Sequence, residues 1–141
     1  MTNKRLVFDT NVLLDFACFQ RSYGARAVRL AIEKGFDIVF TKPTYDEAKD
    51  VLTRKRFERY QPLEARVSIL QGLQAIGLLQ PVTVEVKACR DPKDDKFLSA
   101  ALSSGSVLIV SRDDDLLVMN PYKGVEIIDA REFLSRHVTD L

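Results

Sequence analysis

Four carboxylic acids stand where this sequence could do chemistry, and they lie far apart along the chain. Asp9 follows the apolar run Leu6-Val7-Phe8 and precedes Thr10 and Asn11, helix-capping residue types, so it marks a turn from strand to helix. Asp113 follows a second apolar run, Val107 to Val110, within Ser111-Arg112-Asp113-Asp114-Asp115. In open α/β sheets, ligands bind in the crevice outside the carboxyl ends of the strands, where both acids are expected. Glu47 and Asp94 fall on helical stretches and lean inward. Glu47 lies beside Val51 at the edge of an apolar face made by Tyr45, Ala48, Val51 and Leu52, and Asp94 is in line with Phe97, Leu98 and Ala101.

Each acid also has a plainer reading. Asp9 could simply cap a helix, Glu47 could pack its stem and keep its head in water, and Asp94 could reach back to a cap at Asp91 followed by Pro92. Gathered at one rim without cations, several carboxylates would force some to stay protonated. A bound ion removes that difficulty. Ligands made only of oxygen favour a hard cation such as Mg²⁺ or Mn²⁺, which keeps several waters and binds substrate phosphates. Such ions polarise phosphoryl oxygens and supply a hydroxide-like nucleophile, so phosphodiester hydrolysis is the reaction the set suits.

Strands and helices must alternate to bring these acids together. Beyond the first strand and helix, the pattern predicts a helix over Ala25 to Lys34 stopped by Gly35, a strand over Phe36 to Phe40, and a helix from Pro43 to about Arg56. A helix over Gln61 to Ile76 follows, then a strand over Val82 to Val86, a helix beginning at Pro92, strands at Val107 to Val110 and Val125 to Ile128, and a helix over Arg131 to His137. This order points to an α/β, three-layer α/β/α sandwich with a central, mainly parallel sheet and right-handed connections. His137, the only histidine, is expected at the surface. Between two of the helices, Thr53 to Tyr60 carries the cations Arg54, Lys55, Arg56 and Arg59 with the aromatics Phe57 and Tyr60. That composition suits phosphate contacts and base stacking, and equally an acidic protein partner.

The 141 residues fit one domain over 1–141, and the 46% hydrophobic content is enough for a single core. A formal net charge of +1 names no partner by itself. Cys18 and Cys89 belong to no paired spacing, so neither a zinc site nor a disulfide framework is expected. No signal-peptide core or membrane span is read, which makes the cytoplasm the expected location. No phosphate-binding glycine loop, nucleophile elbow or metal-binding histidine pair is found.

The ordered set of segments resembles the PIN-domain ribonucleases, and within them the VapC-like toxins of bacterial type II toxin–antitoxin modules. The segments are Leu6 to Leu13, Pro43 to Leu52, Asp91 to Leu102, Val110 to Leu117, Gly124 to Ile128 and Arg131 to Leu134. The resemblance implies that Asp9, Glu47, Asp94 and Asp113 are the catalytic acids, with Asp9, Asp94 and Asp113 holding Mg²⁺ or Mn²⁺ and Glu47 positioning the ion or its water. Asn11, Asp91, Ser111 and Asp115 match neighbouring polar positions that support the site. Ser111 stands where the family often has threonine, and Arg112 where a small residue is common. By the same resemblance the substrate is RNA, the partners are a cognate antitoxin and a second copy in a homodimer, and no membrane is involved. Two rivals exist. An aspartyl-phosphate phosphatase would need an acid two residues after Asp9, where this chain has Asn11. A silent PIN-like RNA- or partner-binding module would keep like charges together with no cation to offset them.

Overall fold

The computed structural model describes residues 3–138. Its central sheet has the strand order β3-β2-β1-β4-β5, formed by β1 (Arg5–Phe8), β2 (Asp37–Phe40), β3 (Leu78–Leu79), β4 (Leu108–Val110) and β5 (Glu126–Ile128), and every pairing between these strands is parallel. Helices α1 (Thr10–Cys18), α2 (Tyr23–Glu33), α3 (Lys42–Leu52), α4 (Leu63–Ile76), α5 (Asp95–Ser104), α6 (Asp114–Leu117) and α7 (Ala130–Val138) connect or flank the strands.

The period of two along each strand builds the layers. Leu6, Phe8, Ile38, Phe40, Leu108 and Val110 join one buried cluster with α1, α2, α3, α4 and α7. Their neighbours Val7, Val39 and Ile109 face the other side and join Phe97, Leu98, Ala101 and Leu116 from α5 and α6. Strands buried on both faces read as continuous apolar runs because both sides need filling, which is why β1 and β4 were legible. The result is the expected three-layer sandwich. Neither cysteine forms a disulfide.

The chain departs from expectation at three points. Val82 to Val86 is not a strand; the edge strand is the two-residue β3, four residues earlier. After Pro81 the chain lies along α5, with the backbone N–H groups of Thr83 and Val84 donating to Ser103 Oγ and that of Val86 to Ser99 Oγ. Hydroxyls take the place of a ladder, and the alternation of residues 82–86 reflects a segment with Val86 alone buried. Helix α3 stops at Leu52 and not near Arg56. The wholly buried guanidinium of Arg66 on α4 donates to the carbonyl oxygens of Leu52, Arg54 and Gln61, giving partners to groups that a helix end leaves bare. His137, expected at the surface, is half-buried, its ring 4.6 Å from that of Phe133 and 5.4 Å from that of Phe36. Among the described residues, no helix is long and apolar enough to cross a membrane.

Candidate active site

The parallel order places the carboxyl ends of β1 and β4 side by side, since Phe8 pairs with Val110. The chain leaves both strands into acids. Asp9 caps α1: its Oδ1 accepts the Val12 N–H at 2.9 Å, while its Oδ2 accepts the Arg112 N–H at 3.1 Å and the Ser111 hydroxyl. The Ser111 Oγ in turn accepts the Asp113 N–H at 2.9 Å, and Asp113 Oδ1 accepts the Asp115 N–H at 2.9 Å. One hydroxyl thus ties the two strand ends together. Burial pushes the Asp9 carboxyl above its ordinary range, against the pull of the Ser111, Val12 and Arg112 hydrogen bonds.

Asp94 ends a short 3₁₀ turn, Pro92–Asp94, that Asp91 caps through the Lys93 N–H at 3.0 Å. Pro92 fixes the turn's opening, and the turn runs straight into α5. Its carboxylate and those of Asp91 and Asp115 offer oxygens all within 4.8 Å of one another. Asp94 is raised to about 7, by burial first, then by a hydrogen bond with Asp113 and the charges of Asp113, Asp91 and Asp115. Its Oδ2 is buried with no hydrogen-bond partner. Unpaired buried oxygen among other carboxylates is costly, and a hard cation is the partner that satisfies all of them at once. The donor set therefore fits Mg²⁺ or Mn²⁺.

The structure brings the expected acids to one rim in two groups rather than one ring. Asp94 meets Asp91, Asp113 and Asp115 directly, whereas Asp9 joins them through Ser111. Glu47 is tied to other partners. Its Oε1 receives Lys96 Nζ at 2.6 Å and its Oε2 receives the Thr10 hydroxyl, so both oxygens are already engaged. Asn11 is exposed on the first turn of α1. Asp115 also pairs with Arg90 at 2.8 Å.

Lys96 and Asp15 were not singled out from sequence. Asp15, 4% exposed, receives Arg112 Nη1 on both carboxylate oxygens at 3.0 and 3.1 Å. Burial raises its pKa, and the Arg112 charge opposes that. The only available signal was an inward-facing acid in an apolar helix face beside Val12. Thiol chemistry is disfavoured, since burial and Asp95 push Cys89 up to about 12.

The basic segment is solvent-facing in part. Arg54, Lys55, Arg56 and Arg59 are exposed, with Arg54 paired to Asp50 and Arg59 lying 5.2 Å from the centre of the Tyr60 ring. Phe57, one of the two aromatics whose presence suited base stacking, is buried in the core beneath Arg56. Its apolar area holds the segment down and is not free for docking.

A family model described as PIN domain matches residues 5–115. No curated protein matches the chain. Among solved structures, PAE2754 from Pyrobaculum aerophilum is 21% identical with a TM-score of 0.63, covering 97% of this chain and 90% of that one. VapBC2 from Rickettsia felis, described as bound to a promoter DNA fragment, is 9% identical with a TM-score of 0.59, covering 87% and 96%. Mycobacterium tuberculosis VapC20, described as a toxin that cleaves the sarcin–ricin loop, is 13% identical with a TM-score of 0.56, covering 86% and 98%. At these identities the likeness is one of fold.

Proposed function

Because the chain belongs to the PIN domain family, we propose that it is a metal-dependent endoribonuclease, the toxin of a bacterial toxin–antitoxin module, cleaving single-stranded or structured RNA. The observation that carries this reading is the buried, unpartnered oxygen of Asp94 within reach of two further carboxylates. Asp91, Asp94 and Asp115, with Asp113 and Asp9 beside them, would hold Mg²⁺ or Mn²⁺. The bound ion supplies polarisation of the phosphoryl oxygen and a water acidic enough to attack phosphorus.

The chain's own residues prepare the rest. Ser111 fixes the orientation of the Asp9 carboxylate and, through the Asp113 N–H, the turn that carries Asp113. Glu47 holds the Lys96 ammonium at the rim, so its part is to place a cation near the substrate phosphate rather than to bind the metal itself. Burial of Asp9 and Asp94 keeps bulk water from screening the charges that meet there. A cognate antitoxin and homodimerisation belong to the same proposal; the Rickettsia structure, a VapBC pair, supports the first by likeness of fold.

The test is cleavage of RNA by the purified protein with Mn²⁺, compared with Asp94→Asn and Asp9→Asn. Both variants are expected to retain the circular dichroism of the wild type and to lose cleavage by about a hundred- to a thousandfold, the scale expected when a charge-stabilising group is removed. Cleavage by the wild type at the level of the variants would sink the enzyme reading.

A further inference from the structure

Next to Asp9, a cavity of about 410 Å³ opens between α1, α2 and the start of α7. Clefts that hold small ligands begin at roughly 300 Å³. Two of its lining residues, Val12 and Arg112, are the ones whose backbone N–H groups bind the Asp9 carboxylate, so the cavity and the acidic rim share a wall.

The cationic side of this cavity is anchored on a buried acid. Asp15 takes Arg112 Nη1 on both its oxygens, and Asp15 itself is packed against Gly24, where a Cβ would lie 2.4 Å from Asp15 Oδ2. Any side chain at position 24 would force that carboxylate away. The charge of Asp15 thus orients Arg112, whose side chain is half exposed. Across the cavity, Tyr23 is half exposed, with the guanidinium carbons of Arg26 and Arg131 at 5.6 and 5.8 Å from its ring centre. Asp129, the other acid of the lining, is engaged in receiving the Glu132 N–H at 2.8 Å.

The geometry points to a nucleotide subsite: this cavity takes one nucleotide of the RNA next to the scissile phosphate, its phosphate met by Arg112 and Arg131 and its base stacked on Tyr23. Single-stranded nucleic acid is held by this combination of cations tracking the backbone and flat side chains receiving bases. RNA is favoured over an acidic peptide because the aromatic ring and guanidinium planes together present π-faces, which a carboxylate chain does not use. The inference rests on the nuclease reading above, and its test separates the two.

The experiment compares wild type, Tyr23→Ala, Tyr23→Phe and Arg131→Ala as full chains with Mn²⁺ on a fluorescent single-stranded RNA. Tyr23→Ala and Arg131→Ala are expected to raise KM on the order of tenfold at nearly unchanged kcat and to alter the pattern of cut positions, with Tyr23→Phe resembling wild type. Wild-type KM and cut positions in both alanine variants would overturn the subsite while leaving the nuclease intact. Should the wild type cut nothing, the nuclease reading fails, and the subsite is judged by fluorescence anisotropy with the same RNA, where equal affinity of wild type and Tyr23→Ala overturns it. Alanine variants that lose only an acidic protein partner would also overturn it. If Tyr23→Ala misfolds by circular dichroism, Arg131→Ala alone carries the decision.

Discussion

Ser111 is the residue on which two of the acids depend, because its hydroxyl donates to Asp9 and accepts from the Asp113 N–H. Ser111→Ala removes both bonds at a fully buried position, leaving the Asp113 N–H without its acceptor and Asp9 Oδ2 with the Arg112 N–H alone, an effect of about 1–3 kcal/mol. The expected outcome is a lower urea midpoint and a fall of ten- to a hundredfold in RNA cleavage, with Ser111→Thr restoring most of both because it keeps the hydroxyl; an unchanged midpoint in Ser111→Ala would contradict the bridging role. At this scale the sequence was partly legible. Asp9 and Asp113 announced themselves by following apolar runs, and Asp94 by its line with Phe97 and Leu98. The Lys96–Glu47 and Arg112–Asp15 pairs did not, since they join residues 49 and 97 positions apart and leave no local pattern. The supporting places of Asp91 and Asp115 were implied by family resemblance alone, and the structure puts both against Asp94.

Among the elements, α3 and α4 show how a buried charge can end a helix. The Arg66 guanidinium meets the carbonyl oxygens of Leu52, Arg54 and Gln61 in the core. Replacing it with methionine keeps much of the volume but takes the guanidinium away from the Leu52 and Gln61 carbonyls and leaves Arg54 O with the Phe57 N–H alone, so Arg66→Met is expected to lose about 3 kcal/mol in urea unfolding and to loosen the basic segment that follows α3. Proteolysis at Arg54 to Arg59 faster in the variant than in wild type would report that loosening, and equal stability would refute the clamp. Arg66 falls three residues after Leu63 and four before Leu70, on the apolar face of α4, so spacing alone turns it inward; what spacing does not show is which carbonyl oxygens meet it there. The misplaced edge strand has a similar origin. Val82 to Val86 alternates as a strand does, yet its N–H groups find hydroxyls on α5, and periodicity says which side is buried without saying what covers it.

For the molecule as a whole, charge balance at the rim links stability to pH and to cations. Asp94 is held near 7, above the roughly 3.9 of an unfolded aspartate, so the folded state keeps its proton to higher pH than the unfolded state does. The stabilisation this gives is complete below the unfolded value and is lost as pH rises through about 7. The metal-free melting temperature is therefore expected to fall between about pH 5.5 and pH 8, and Mg²⁺ or Mn²⁺ to raise it more at pH 8 than at pH 5.5, because a cation then replaces the lost proton. Differential scanning fluorimetry decides the matter. A cation effect of equal size at both pH values, or one that persists undiminished in Asp94→Asn, would contradict the arrangement.

The bonds from Ser111 and Arg112 to Asp9 close chain separations of 102 and 103 residues. While the polypeptide is still growing on a ribosome, Asp9 waits without those partners, and Asp113 and Asp115 have yet to be made. The rim of carboxylates is accordingly complete only after β4 and the turn that follows it have been synthesised, and products of synthesis halted before β4 lack part of it.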